Sequence, residues 1–270
     1  MRQTRYYINA GFEYSLTIAL ISDLHDKRYT EVLDKMLIDV PNFIAINGDI
    51  LYACQPGYCL YDAFPKSGQH LMYSRYAYDF IKEAVKIAPV LFSTGNHELY
   101  FDESDRELLA NAGACFLDDS YIRLGNVVFG GLSSPYNILA GKGRRKTRQE
   151  SRERWNAILE AVKTSWLDEF EEQAGYKILL CHHPEFYDLY LKDRKEINLI
   201  LAGHAHGGQI RLFGHGLYAH GQGFFPKYTS GIYNEKMIVS RGLANTSKRV
   251  PRKNNPTELV YVELISEMKK

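Results

Sequence analysis

Two histidines, His204 and His206, follow an apolar run at residues 197–202 and are separated from each other by a single alanine. An apolar run bounded by glycine is typical of an interior strand in a covered sheet. In an extended backbone, side chains two residues apart point to the same side, so both imidazoles face one point. Polar rings gain nothing from packing at the mouth of a buried strand, whereas metal ligation explains why they cluster there.

Carboxylate, amide and imidazole side chains also follow four earlier apolar runs, at residues 16–21, 43–46, 90–92 and 178–181. Taken singly, such an aspartate could cap a turn, and such a histidine could be an ordinary core residue. Open α/β sheets place their sites at the carboxyl ends of strands, so the whole set predicts one metal site. The side chains are those of Asp23, His25, Asp49, Asn96, His97 and His182.

The apolar runs predict strands, and helical spacing of apolar residues predicts helices between them. Strands and helices alternate, which predicts one α/β domain over residues 1–270 with helices covering both sides of its sheets. The predicted helices are at residues 30–40, 73–88, 103–112 and 148–173. The remaining predicted strands are at residues 126–129, 209–213, 237–239 and 259–264.

Composition excludes several classes of protein. The chain has 270 residues, 45% hydrophobic and 24% charged, as in an ordinary globular protein. A formal net charge of +1 gives no overall field, which argues against a dedicated nucleic-acid or membrane-surface binder. Four cysteines are too few for a disulfide scaffold and are expected to be reduced thiols. We find no signal peptide and no apolar run long enough to span a membrane, and therefore expect a cytoplasmic protein.

The order of these motifs resembles that of the calcineurin-like metallophosphoesterase family, which runs D-x-H, GD, GNH[ED], H and GHxH. The last motif, GHAHGGQ at residues 203–209, is similar to that of a bacterial branch of the family. The resemblance covers residues 16–264 and is weakest over residues 52–78 and 141–154. It implies a two-sheet β-sandwich flanked by helices on both sides, the αββα arrangement of metallo-dependent phosphatases.

The resemblance also implies a site with two divalent metal ions. It assigns one ion to Asp23, His25 and His206, the other to Asn96, His182 and His204, and Asp49 to both. The mixed oxygen and nitrogen ligands suit Mn, Fe or Zn. His97 does not match a ligand position, and the resemblance implies that it orients the substrate phosphate, together with Asn96, and protonates the leaving oxygen.

The function that follows is hydrolysis of a phosphomonoester or phosphodiester bond in a small phosphorylated substrate, by a hydroxide held between two metal ions. The bacterial branch suggests an alternative, a pyrophosphatase acting on a lipid-linked nucleotide sugar. A different class of function is a protein-binding scaffold that has kept the fold and lost catalysis. Turnover of a phosphoester by metal-loaded protein separates the enzyme from the scaffold.

Several features have two interpretations on sequence alone. The tyrosine-rich segment 52–78 is either a lid, with Tyr52 stacking on substrate, or a packed loop over the core. The basic segment 141–154, which includes Arg145, either docks an anionic group or is a solvated loop leading into a helix. Glu98 either supports a ligand histidine or favours a helix N-terminus. His183 is expected to be a neighbour of the site rather than a ligand.

Overall fold

The computed structural model describes residues 1–52, 70–139, 147–245 and 250–266. Its α-helices are α1 (Thr30–Asp39), α2 (Ala77–Ala84), α3 (Glu103–Ala112), α4 (Arg148–Glu160) and α5 (Trp166–Glu172). Its longer strands are β1 (Arg2–Asn9), β2 (Leu16–Ile21), β3 (Phe43–Asn47), β4 (Val90–Ser93), β6 (Ser120–Leu124), β7 (Val127–Leu132), β8 (Tyr176–Cys181), β9 (Leu199–Ala202) and β16 (Glu258–Ile265). The shorter strands are β5 (Cys115–Phe116), β10 (Arg211–Leu212), β11 (His215–Gly216), β12 (Tyr218–Ala219), β13 (Gly223–Phe224), β14 (Gly231–Tyr233) and β15 (Met237–Val239).

The strands form two six-stranded sheets and two small hairpins. The first sheet has the order β1-β16-β2-β3-β4-β5, and strands β2 to β5 run parallel to one another. The second sheet has the order β14-β15-β9-β8-β7-β6, with β15, β9, β8 and β7 parallel. Parallel strands joined through helices must bury both faces of their sheet, which explains why β3, β4, β8 and β9 are almost wholly apolar.

Three apolar layers hold the sheets and helices together. The layer between the sheets includes Leu20 and Leu91 from the first sheet and Phe129 and Leu201 from the second. A second layer packs α1, α2 and α3 on the outer face of the first sheet, and a third packs α4 and α5 on the second sheet. This arrangement confirms the predicted α/β fold, a two-sheet sandwich with helices on both sides. Within the described ranges, every helix is too short or too polar to cross a membrane.

Two predicted elements differ from the structure, and the edge strand β1 was not predicted. The helix predicted at residues 148–173 is two helices, because residues 161–165 leave the helical path and the Trp166 indole donates a hydrogen bond to the Lys163 carbonyl (3.0 Å). The strand predicted at residues 209–213 is only the short β10 of a hairpin, outside both sheets. Strand β1 lies at the edge of the first sheet, paired with β16, and its charged and polar residues do not form the apolar run by which the other strands were recognised.

Replacing Leu201 with alanine tests the layer between the sheets. Leu201 is fully buried, so its truncation leaves a cavity, and we expect the free energy of unfolding to fall by about 2–5 kcal/mol. The matched control is Leu212→Ala, at a leucine that is 45% exposed, where we expect a change within about 0.5 kcal/mol. Urea denaturation measures both variants. Equal losses of unfolding free energy in Leu201→Ala and Leu212→Ala would contradict the burial of Leu201 between the two sheets.

Candidate metal centre

Five strands of the two sheets end at one common edge, and each is followed by polar side chains. Strands β2, β3 and β4 belong to the first sheet, and β8 and β9 to the second. The two sheets are joined at this edge by Asn47, whose side-chain amide donates a hydrogen bond to the Leu201 carbonyl (2.8 Å). The loops after the five strands carry Asp23, His25, Asp49, Asn96, His97, His182, His204 and His206.

A first group consists of Asp23, His25, Asp49 and His206, each of which offers one atom within 4.8 Å of all the others. Nε2 of His206 lies 3.3 Å from Oδ1 of Asp23, and Nε2 of His25 lies 3.7 Å from Oδ2 of Asp49. Two atoms bound to the same tetrahedral ion at usual distances are about 3.3 Å apart. The spacing in this group is therefore that of ligands around one cation.

A second group consists of Asp49, His182 and His204, so the Asp49 carboxylate belongs to both. Nε2 of His182 lies 3.2 Å from Oδ2 of Asp49. Asn96 follows Gly95 in the loop after β4, and its side-chain oxygen is buried without a hydrogen-bond partner among the described residues. The same is true of Oδ1 of Asp23 and Nε2 of His182. Buried polar atoms left without partners are uncommon in proteins, and bound cations would satisfy those that face the two groups.

The electrostatics of the centre favour cations. Burial alone would raise the pKa of Asp49, but the neighbouring His182 and His97 outweigh it and hold that pKa well below its usual range. Burial alone would lower the pKa of His182, but the Asp49 carboxylate raises it to about 10. Asp49 thus stays ionised at the centre of a cluster of nitrogen and oxygen donors. The residues present fit two divalent cations of borderline hardness.

The backbone at this edge is strained. Bulky L-residues seldom adopt the left-handed region, and runs of such residues mark sites where the surrounding structure enforces an unusual geometry. Five predicted ligands have positive φ, namely Asp23 (55°), His25 (49°), Asp49 (53°), His204 (64°) and His206 (47°). With this backbone, side chains that follow one another in a loop turn toward the same point. In an extended chain, only every second side chain would face that way.

Backbone carbonyl groups orient two of the histidines. Nδ1 of His182 lies 2.8 Å from the Asn47 carbonyl oxygen, so this nitrogen donates, and Nε2, which faces Asp49, is the nitrogen on which a cation would replace a proton. Nδ1 of His206 lies between the Arg252 guanidinium (3.1 Å) and the Ala244 carbonyl oxygen (3.3 Å), and its Nε2 faces Asp23. The guanidinium of Arg252 donates a hydrogen bond to the same Ala244 carbonyl (2.6 Å) beside the His206 ring. Arg252 could not be predicted from the sequence, since nothing in its local sequence connects it with His206.

Glu98 has neither of the roles expected from the sequence. Its buried carboxylate accepts hydrogen bonds from the backbone N–H groups of Gly95 (2.7 Å), Asp49 (2.8 Å) and Leu51 (3.0 Å). Burial and the nearby Asp49 charge raise the pKa of Glu98 to about 7. Glu98 therefore ties the loop after β3 to the loop after β4, and it supports the backbone of the central carboxylate rather than a histidine ring.

His97 lies beside the two groups and is more accessible than most of the centre. Its side chain is 23% exposed, and its Nε2 lies 4.0 Å from Oδ2 of Asp49. Its backbone N–H donates a hydrogen bond to Oδ1 of Asp49 (2.7 Å), and its ring meets the His25 ring edge-on at 4.4 Å. Burial lowers the pKa of His97 to about 3, so the ring is neutral near pH 7.

The two predicted substrate-contacting segments are described only in part. The Tyr52 ring lies 5.9 Å from the His97 ring, at the edge of the centre. Residues 53–69, most of the predicted lid, lie outside the described residues, as does Arg145 with residues 140–146. The described end of the basic segment enters α4, which Thr147 and Glu150 cap through reciprocal hydrogen bonds.

Gly95 allows the two loops to approach each other closely. A Cβ atom at this position would overlap Oδ1 of Asp49 and lie 2.6 Å from the Asp49 backbone nitrogen. We therefore expect Gly95→Ala to displace Asp49 and to weaken metal binding at least ~10-fold, as changes next to metal ligands do. Competition with a chelator measures the affinity.

The control for Gly95→Ala is Gly131→Ala. A Cβ at Gly131 would come equally close to a neighbour, at 2.5 Å from the Leu117 side chain, but in the core between the sheets. This variant should lose stability without a comparable loss of metal affinity. Equal metal affinity in Gly95→Ala and the wild type would contradict the close approach of the two loops.

Comparison with known proteins agrees with this geometry. The profile of the calcineurin-like phosphoesterase family matches residues 16–208, which contain all five strand ends. The chain belongs to this family, and the membership supports a metal-dependent phosphoesterase.

Two relatives illustrate how far the similarity extends. The chain is 28% identical over 237 residues to the uncharacterized protein YpbG of Bacillus subtilis (strain 168), a match that spans 86% of this chain and 74% of YpbG. Among solved structures, the sulfate thiohydrolase SoxB of Thermus thermophilus in complex with glycerol matches 69% of this chain at 16% identity and a TM-score of 0.38. The match covers 35% of the SoxB chain.

Proposed function

We propose that the protein hydrolyses phosphomonoester or phosphodiester bonds with two divalent cations, Mn, Fe or Zn, as cofactors. Asp23, His25 and His206 would hold one ion, and Asn96, His182 and His204 the other. The observation that carries the proposal is the Asp49 carboxylate, which belongs to both groups of converging side chains. When bound, such a pair of cations supplies charge that polarises the phosphate and activates water for attack on phosphorus.

Residues of the chain itself hold the proposed ligands in position. Asp49 stays ionised and faces both groups, so it sets the positions of the two ions relative to each other. The hydrogen bonds that Glu98 accepts hold the backbone on either side of Asp49 and Gly95 in place. Because these supports are buried, the ligands need little rearrangement when substrate arrives, which is the condition for electrostatic stabilisation of a transition state.

His97 is the proposed catalytic residue that is not a ligand. Its partly exposed ring, next to His25 and Asp49, is within reach of a phosphate bound at the centre. The neutral ring donates an N–H hydrogen bond to a phosphate oxygen and thereby orients the group. The negative charge of a bound phosphate raises the pKa of an adjacent imidazole, so His97 would take up a proton from solvent when substrate binds, pass it to the leaving oxygen and return to the neutral ring.

The test is turnover by protein of defined metal content. We expect protein stripped with a chelator to be inactive, and reconstitution with manganese, iron or zinc to restore hydrolysis of p-nitrophenyl phosphate or bis-p-nitrophenyl phosphate. The ratio of the two rates then assigns the monoester or the diester as the preferred class. Protein that binds two ions per chain, yet hydrolyses neither substrate, would contradict the proposal and favour a scaffold.

A further inference from the structure

A buried carboxylate next to His204 has no role in the site described so far. The Glu185 side chain is 9% exposed, and neither of its oxygens has a hydrogen-bond partner among the described residues. Its Oε1 atom lies 3.7 Å from Nε2 of His204 and 3.5 Å from Nδ1 of His183. Both nitrogens are themselves buried and without other hydrogen-bond partners in the described part of the chain. A carboxylate buried in this way is costly unless donors face it.

We propose that Glu185 is a positioning residue that accepts the Nε2–H of His204 and so directs the other ring nitrogen, Nδ1, to the second ion. The proposal rests on the proposed function, since it assumes the two-ion site. A neutral imidazole has one N–H and one lone pair, and a carboxylate can only accept. Nε2 of His204, which faces Glu185, is therefore the protonated nitrogen, and the lone pair is on Nδ1.

His182 shows the opposite arrangement in the same group. Its Nδ1 faces the Asn47 carbonyl, so its Nε2 is the nitrogen left for a cation. Ligand histidines generally donate their second ring N–H to a carboxylate or carbonyl, which fixes both the tautomer and the orientation of the ring. Each histidine of the second group thus has an acceptor for its second ring N–H, and Glu185 is the acceptor for His204.

His183 holds Glu185 in place from the other side. Its Nε2 lies 2.8 Å from the Ser134 hydroxyl, which can donate to it and leave the N–H on Nδ1, facing Glu185. The His183 ring stacks on Tyr136 with centroids 5.0 Å apart and planes 7° from parallel. His183 is therefore a neighbour with a supporting contact.

Gly221 closes the space over the Glu185 carboxylate. A Cβ atom at Gly221 would overlap Oε1 of Glu185, and the residue has φ +76°, a conformation that glycine adopts without strain. Any larger residue would push the carboxylate away from His204.

His183, Glu185 and His204 are also spaced like a set of ligands, with one atom from each within 4.8 Å of the others. A third cation in this group would need a lone pair on Nε2 of His204 while Nδ1 binds the second ion. A neutral imidazole has one lone pair and cannot bind both. The same residues therefore favour a hydrogen-bonding role for Glu185 when His204 is a ligand of the second ion.

The test compares Glu185→Gln with the wild type in the full chain, by titrating metal-free protein with Mn²⁺ or Zn²⁺ and counting bound ions. We expect the wild type to bind two ions and the variant to bind one of them about 10–100-fold more weakly, with the other unchanged. Glu185→Asp, which keeps the carboxylate, should regain part of the affinity. The matched control is Glu171→Gln. Glu171 is a partly buried carboxylate on α5 that pairs with Arg194 (2.9 Å) and belongs to neither group of proposed ligands.

A second readout follows the proton itself. In the cobalt-substituted wild type, the ring N–H of each ligand histidine gives a paramagnetically shifted, exchangeable proton signal, and Glu185→Gln should move or broaden the one from His204. His204→Ala assigns that signal. A merely structural effect of the substitution would leave the signal unchanged.

Three results would overturn the proposal or its basis, and they can be told apart. Wild-type affinity for both ions in Glu185→Gln would overturn the positioning role and leave the proposed function intact. Three ions in the wild type and two in the variant would mean that Glu185 is itself a ligand. A wild type that binds no second ion would contradict the proposed function, and the role of Glu185 with it.

Discussion

Asp49→Ala should abolish the binding of both ions. Asp49 is the carboxylate common to the two groups of side chains, so its removal takes an anionic ligand from each. Metal ions at such sites stabilise the transition state by several kcal/mol, and about 4 kcal/mol corresponds to ~10³-fold in rate. We therefore expect kcat/KM to fall at least ~10³-fold and the metal content to fall below one ion per chain. Elemental analysis after gel filtration measures the content.

Two further variants make this result specific. Asp49→Asn keeps the shape of the side chain and should also lose metal, because the neutral amide lacks the charge that the centre requires. Asp119 precedes β6, is only 16% exposed and accepts a hydrogen bond from the backbone N–H of Ser133, so Asp119→Ala should keep both ions. Full metal occupancy in Asp49→Ala would refute the assignment of Asp49 as the shared ligand.

His97→Ala should have the opposite signature, with metal retained and turnover lost. The ring lies beside the ligand groups and is assigned to orientation of the phosphate and protonation of the leaving oxygen. Loss of such a group costs about 10²–10⁴-fold in kcat, and the loss should grow as the leaving group becomes more basic. A series of aryl phosphates of increasing phenol pKa measures this dependence.

The exposed His215 provides the control for this experiment. His215→Ala should leave both metal content and rate unchanged. If His97→Ala lost the same factor with every leaving group, the proton-donor role would be wrong and orientation of the phosphate alone would remain. If it lost metal, His97 would be a ligand.

The general position of the site could be predicted because it follows from sheet geometry. Parallel strands expose their carboxyl ends at one edge, so polar residues after β2, β3, β4, β8 and β9 had to meet there once those strands were recognised. The strands were recognisable because burial on both faces makes them continuous apolar runs.

Features that depend on contacts between distant loops could not be predicted in the same way. The left-handed backbone at Asp23 and His206 depends on packing, because aspartate and histidine, although enriched in that region, adopt it too seldom for residue type to predict it. The contact of Glu185 with His204 and the position of Arg252 beside His206 join segments far apart in the chain. Glu98 shows the same limit, because its partners are backbone N–H groups, which leave no trace in residue type.

The most direct test of the account is a crystal structure of metal-loaded protein with anomalous scattering recorded at the absorption edge of the added metal. We expect two anomalous peaks per chain, one among Asp23, His25 and His206 and one among Asn96, His182 and His204, with the Asp49 carboxylate between them. A single peak, or peaks away from Asp49, would contradict the two-ion centre on which the proposed phosphoesterase depends.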